Sequence, residues 1–451
     1  MRKALFWLVI VMLLAGCQPV PTPTPTPCAP CATCEPTMTA TATATASATP
    51  AATDTPTPAP TFDPTGFKFN ARPELLMVCQ GDGSHGAGGN NGYYVSGQSV
   101  SLKAMNPAPG VYNFQAPDPS GYLGQSPISA VATTTALDAK NRAAGRDPFY
   151  VWLQVMWWSP GNDWIPAHLQ VERLPYIGNP ADGTFPNPFD ARLIAGIEPT
   201  VREMASRWNI EPRVSAMIVN LGEYGEANAK YVCAADSPSH KADCGSEPDN
   251  VLIQAAIRRV QAETGEVLTA EQMIAAYDDG SGHRWQHRWQ FYLMEYFTKP
   301  MITMYAAWWP QTPLVVQLGN MSEWHFGSAH CGAEGQPGAA DCWSYAEQLA
   351  HWTADHLGAR AILKQNGLGN SSTYAYATLM GSLGGKTRIA WEPGGTLPSA
   401  DMLRAALQTA HGSALCYQAG YYDDPMPIPL ATQKAMLRGN FETYFWPLVN
   451  Q

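Results

Sequence analysis

Charge is scarce in this chain. Asp, Glu, Lys and Arg make up 14% of its 451 residues, and acids outnumber bases 37 to 27. A formal net charge of −10 is not basic enough to suggest a nucleic-acid partner, and none is expected. The glycine-rich stretch GDGSHGAGGNNG at 81–92 contains no Gly-Lys-Ser/Thr, so it is not a phosphate-cradling loop. No dinucleotide fingerprint and no metal-ligand triad stand out, so neither a cofactor nor a metal is expected. A G-x-S-x-G elbow is missing, which argues against Ser/His/Asp hydrolysis. No repeat of solenoid type is present. Hydrophobic residues, by contrast, reach 45%, enough for a large core.

The first segment reads as processing rather than fold. Arg2 and Lys3 precede the apolar run Ala4–Leu14, which is too short to span a bilayer comfortably. Leu14-Ala15-Gly16-Cys17 then resembles a bacterial lipobox, which implies a signal over residues 1–17 and an acylated Cys17 as the mature N-terminus. A cleaved signal with a chance cysteine is the alternative. The expected location is the outer face of the cell membrane, held there by the lipid anchor alone. Residues 18–62 are short repeats of Pro, Thr and Ala, a composition that cannot bury a core and is expected to stay disordered and extended. At about 3.1 Å per residue such a stalk reaches on the order of 100 Å. Cys28, Cys31 and Cys34 lie within it; three thiols in an unfolded segment suit disulfides better than zinc.

From residue 63 to 451 the composition is globular, and short apolar runs alternate with helical or loop segments. The runs Leu75–Cys79, Val100–Ala104, Tyr150–Val155, Val214–Val219, Leu314–Leu318, Ala361–Lys364, Arg388–Trp391 and Ala414–Gln418 read as eight strands. Eight parallel strands alternating with helices close a TIM (β/α)8 barrel, the expected α/β fold. Helices are expected over Leu193–Trp208, after a capping box at Thr269 and Gln272, over Arg284–Trp308 with a kink at Pro300, and over Ala400–His411 capped by Ser399. Two long loops carry close cysteine pairs, Cys233 with Cys244 and Cys331 with Cys342, which an exported protein would join as disulfides.

Two strand ends stand out. VSAMIVNLGEYGE, Val214 to Glu226, is a buried run that breaks at Gly222 and delivers Glu223 and Glu226. TRIAWEPG, Thr387 to Gly394, ends a second run in Trp391 and Glu392. In a barrel of this kind, acids at the C-terminal ends of strands face the active-site mouth.

Four motifs, in order, resemble the barrel glycoside hydrolases of the β-galactosidase-like, clan A type. Pro109-Gly110-Val111-Tyr112-Asn113-Phe114 is similar to their PGxYxF stretch, and Leu137-Asp138-Ala139 to Gly145 to the helix that follows it. Gly222 to Glu226 resembles the G-x-x-G-E that ends strand four in several uncharacterised members of this barrel superfamily, and Trp391-Glu392 the glutamate of strand seven. The resemblance covers roughly residues 70–450. It implies a retaining hydrolase of oligo- or polysaccharides, with an acid/base on strand four and a nucleophile on strand seven. One departure is plain: many such families place Asn immediately before the acid/base, whereas Asn220 here is followed by Leu221 and Gly222.

On this reading Glu392 is the nucleophile, and either Glu226 or Glu223 the acid. A salt-bridged strand-end glutamate is the plainer alternative for Glu392. Asn320, Glu323, Trp324 and His325 after strand five, Asn366 with its neighbours Lys364 and Gln365 at the end of strand six, and Tyr421 and Asp423 after strand eight are sugar-binding candidates or plain polar loop. Asp82 and His85 are either ligand-facing or part of a mobile glycine loop. Trp157, Trp158, Trp324 and Trp391 cluster at strand ends, where aromatic faces can stack on sugar rings or fill the core. A carbohydrate-binding barrel without turnover is the competing function, since fold does not decide activity.

Overall fold

The apolar runs pair side by side as parallel strands. The computed structural model describes residues 75–78, 95–121, 123, 125–145, 148–175, 183–222, 225–227, 250–318, 342–368, 373–383, 385–393, 398–417, 427–445 and 447. The strands are β1 (Leu75–Val78), β2 (Val95–Ser101), β3 (Tyr150–Met156), β4 (Val214–Val219), β5 (Leu314–Gln317), β6 (Ala361–Leu368), β7 (Arg388–Pro393) and β8 (Ala414–Tyr417). Each is hydrogen-bonded to the next in chain order, and β8 pairs with β1 from Leu75↔Ala414 to Val78↔Tyr417, so the sheet closes.

The outer face of the sheet is covered by helices that cross between successive strands. These are α1 (Pro127–Ala143), α2 (Ala191–Trp208), α3 (Val251–Thr264), α4 (Lys299–Trp308), α5 (Tyr345–Leu357) and α6 (Thr373–Ser382), with α7 (Leu430–Asn440) after β8. Their starts are set by polar caps: Ser126, Asp190, Asn250 and Ser344 each accept a backbone N–H of the first turn. The expected capping box at Thr269 and Gln272 is present, opening the short helix Ala270–Ile274.

Strand residues alternate between two apolar clusters. Val151, Leu153, Val155, Val316, Leu363, Ile389 and Leu415 pack outward under the helices. Tyr150, Trp152, Ala216, Ile218, Val315, Ile362, Ala390 and Ala414 form a separate cluster inside the barrel. That alternation follows from the two-residue period of a strand. In β4 the parity is reset by a bulge: Val151 pairs with Val214, but Trp152 pairs with Ala216, skipping Ser215. The skip turns Ala216 and Ile218 inward.

Three expected elements differ. The second strand occupies Val95–Ser101 rather than 100–104, because the Ser101 side chain caps Ala104 N and the chain turns into a short helix at Leu102. The long aromatic helix is broken: Arg284–Trp285 pairs with Cys342–Trp343, and helix Arg288–Leu293 reaches α4 through a π-turn at Met294–Thr298. Pro300 sits in the first turn of α4, where its missing N–H leaves an i→i−4 bond unmade, and the wider turn absorbs the mismatch. The helix capped by Ser399 likewise becomes a π-turn at Ala405–Thr409 and stops short of His411.

The motif around Asp138 has a structural explanation. Buried Asp138 on α1 accepts the Phe149 N–H at 2.9 Å and pairs with Arg142 at 2.9 Å and Arg213 at 2.7 Å. It thus ties one helix to the entries of both β3 and β4. Phe114 of the PGVYNF stretch packs edge-on against Trp208, with ring centroids 5.4 Å apart, and so anchors that loop to α2.

Candidate active site

The barrel interior changes character along its strands. On five strands, the position two residues beyond the last apolar residue of the inner cluster is polar: Gln154 after Trp152, Asn220 after Ile218, Gln317 after Val315, Lys364 after Ile362 and Glu392 after Ala390. The C-terminal half of the interior is therefore a polar chamber on an apolar floor.

Asn220 shapes the loop that enters this chamber. Its Nδ2 donates to the Val155 carbonyl at 3.0 Å, and its Oδ1 accepts the Gly222 N–H at 3.1 Å. The amide is committed to backbone, which gives it a structural role. The Gly225 N–H then closes back on the Gly222 carbonyl at 3.0 Å. Gly225 has φ +85°, and a Cβ there would overlap Gln154 Nε2. Only glycine fits both demands. Ala227 N donates to the Gln317 carbonyl at 2.8 Å, pinning the far side of the turn to β5. Glu226, held between these two fixed points, is 8% exposed.

Glu226 and Glu392 are both bound by β6. Asn366 Nδ2 donates to Glu226 Oε1. Two residues earlier, Lys364 Nζ donates to Glu392 Oε2 and to Gln317 Oε1. Lys364 and Glu392 are 2% and 3% exposed, so this ion pair is buried. Asn366 and Glu392 are register partners on adjacent strands, which brings the two glutamates to the same end of the barrel. Asn366 Oδ1 is buried without a hydrogen-bond partner among the described residues. Ser99 Oγ donates to Gln154 Oε1 at 2.9 Å across β2 and β3. Tyr376 of α6 lies close enough to Glu226 to feel its charge: burial first, then the negative charges of Glu347 and Glu226, push its phenol well above the ordinary value.

Of the expected site residues, Glu226, Glu392 and Asn366 converge. Trp157, Trp158 and Trp391 do not: all three are buried in the outer core. Trp157 Nε1 donates to the Asn220 carbonyl at 3.4 Å, and Trp158 Nε1 to the Thr184 carbonyl at 3.0 Å. Trp391 faces outward between the inward residues Ala390 and Glu392, and Gly412 packs on its indole. No ring face of these three is open to a sugar, so their expected stacking role is corrected to packing.

Glu223, Asp82, His85, Asn320, Glu323, Trp324, His325, Tyr421 and Asp423 lie outside the described residues, as do Cys17, Cys233, Cys244 and Cys331. Cys342 contributes backbone to the short pairing with Arg284, and its side chain is outside the description. Among the described residues no cluster of three His, Cys, Asp or Glu is placed to hold a metal ion.

No protein-family profile matches the chain. No curated protein matches it. Its backbone is similar to that of a β-galactosidase from the psychrophilic Marinomonas ef1, at 11% identity over 81% of this chain and 59% of that one, with a TM-score of 0.43. A β-galactosidase from Rahnella sp. R3 matches at 11% identity over 86% of this chain and 58% of that one, with a TM-score of 0.46. A xylanase from Paenibacillus barcinonensis matches at 9% identity over 78% and 85%, with a TM-score of 0.35. The chain spans less than two thirds of the length of either β-galactosidase.

Proposed function

We propose that the domain is a (β/α)8-barrel glycoside hydrolase that cleaves O-glycosidic bonds of oligo- or polysaccharides with retention. The observation that carries this reading is the delivery of two buried glutamates to one end of the barrel, Glu226 after β4 and Glu392 on β7, bridged by neighbouring residues of β6. Glu392 attacks the anomeric carbon as Glu226 protonates the departing oxygen; Glu226 then takes a proton from water, which displaces Glu392 from the glycosyl-enzyme. Asn366 Oδ1, buried and unpartnered among the described residues, suits a sugar hydroxyl as its donor. Turnover of a panel of aryl glycosides, both anomers of galactose, glucose, mannose and xylose, tests the reading, and NMR of the first-formed anomer tests retention. A panel left wholly uncleaved counts against it.

One observation favours a carbohydrate-binding barrel without turnover: Glu392 is already engaged by the buried Lys364. Calorimetric binding of oligosaccharides that are never hydrolysed would support that second reading.

We also propose that the protein is exported and lipid-anchored through Cys17, with Cys233–Cys244 and Cys331–Cys342 closing their loops; the support is the sequence pattern alone. Intact mass of the membrane-bound protein checks the acyl chains, and non-reducing peptide mapping checks the bridges.

A further inference from the structure

β6 presents two donors to the two glutamates, and they differ in charge. Lys364 offers an ammonium to Glu392 Oε2; Asn366, one strand period later, offers a neutral amide to Glu226 Oε1. Lys364 is itself steadied by Gln317 Oε1 of β5, so its Nζ is fixed from two strands. A buried lysine is costly to keep unless paired. Its place inside the barrel, above Ile362 and beside a carboxylate, is not needed to fill the floor, which the apolar cluster already forms.

We propose that β6 assigns the two catalytic roles: Lys364 is the positioning residue of the nucleophile Glu392, and Asn366 the positioning residue of the acid/base Glu226. This rests on the glycosidase reading above. A charge-assisted bond to Oε2 holds the carboxylate in place and favours its ionised form, which a nucleophile requires. An amide accommodates Glu226 in both of the forms that an acid/base must adopt, because Nδ2 donates to Oε1 whether or not Oε2 carries the proton. Bringing a nucleophile into line is worth about a hundredfold in rate when it is lost through a misplacement on the order of 1 Å. Gln317 acts one step further out, by holding Lys364.

The two roles predict different sensitivity to the leaving group, none for Lys364 and a marked one for Asn366, a contrast that a merely structural role would not produce. With 2,4-dinitrophenyl and phenyl glycosides of the sugar cleaved fastest in the panel, Lys364→Met is expected to lower kcat/KM on both by a similar factor, about a hundredfold. Asn366→Ala is expected to slow the phenyl glycoside about tenfold more than the dinitrophenyl glycoside, whose leaving group needs no proton. Gln317→Leu, which leaves the ion pair intact, is expected to give a smaller loss that is also equal on the two substrates, and it stands in should Lys364→Met fail to fold. Wild-type rates in Lys364→Met, or in Gln317→Leu where that variant stands in, overturn the assignment. The same leaving-group dependence in the Lys364 and Asn366 variants overturns it too. A wild-type protein that cleaves no glycoside sinks the underlying reading as well, and that failure shows before any variant is made.

Discussion

Gly225 lies so close over Gln154 that no side chain fits between them. A Cβ there would overlap the Gln154 amide nitrogen and lie 3.0 Å from Gln317 Nε2, on a backbone whose φ of +85° already excludes most residues. The turn that delivers Glu226 is thus pressed onto the polar layer of the barrel. Gly225→Ala is expected to cost about 1–3 kcal/mol of stability from the left-handed backbone and the overlap. It is also expected to lower kcat by about a hundredfold through misplacement of Glu226. Urea unfolding and steady-state rates check both; an alanine variant with wild-type kcat would detach this turn from catalysis.

The buried Lys364–Glu392 pair predicts a stability signature that is independent of substrate. Glu392→Gln strands an ammonium inside the barrel, and Lys364→Met strands a carboxylate. Each is expected to destabilise by about 3–5 kcal/mol, while the double variant is expected to lose much less than the sum. Urea denaturation of the four proteins measures the coupling. Additive losses would show that the two charges do not meet.

Much of this architecture was legible because a parallel strand buried on both faces reads as an apolar run. β2 was not, since VSGQSVS carries polar residues in the strand itself, with Ser99 meeting Gln154 across the sheet. Glu226 and Glu392 stood out as acids following apolar strands. Lys364 was legible only as part of a polar strand end, not as a partner of Glu392, and Gln154 and Gln317 passed as single polar residues inside apolar runs. The signal was the two-residue period: Ile362 then Lys364, Val315 then Gln317, Trp152 then Gln154. The same parity would have sent Trp391 outward, since it stands between Ala390 and Glu392. Charge partners across strands are set by the register of neighbouring strands, which no local pattern encodes.

Two histidines predict how stability responds to acid. Burial, the largest effect, lowers the pKa of His351 from 6.5; Lys386 and His283 push the same way and Asp355 opposes. His351 stacks on Trp343 at 4.2 Å, and His283 stacks on the same indole at 3.4 Å. His411 is lowered by burial as well. With a depressed folded-state pKa, the stabilising contribution is full above 6.5, the unfolded value. It is lost as pH falls from there through the folded value, because the unfolded chain takes the proton first. The melting temperature is expected to decline over that window, and His351→Gln to make the decline shallower. An unchanged slope in the variant would remove His351 from the account.

The sharpest test separates the two glutamates by how each fails. If Glu392 is the nucleophile, Glu392→Ala forms no covalent intermediate and should abolish turnover of a 2,4-dinitrophenyl glycoside. Azide can enter the vacated space beside Lys364, whose ammonium favours an anion there, and displace the leaving group from the opposite face to give the inverted glycosyl azide. If Glu226 is the acid/base, Glu226→Ala should still form the intermediate from that same substrate, because dinitrophenolate leaves without a proton. Water then lacks its general base, so the intermediate accumulates; azide needs no base and should release the retained glycosyl azide. Anomeric coupling constants in the NMR spectra of the two products tell the outcomes apart. Glu223 provides the control: should Glu223→Ala yield the retained azide while Glu226→Ala turns over normally, the acid/base role passes to Glu223. An active wild type insensitive to loss of all three glutamates would refute the two-carboxylate mechanism on this barrel.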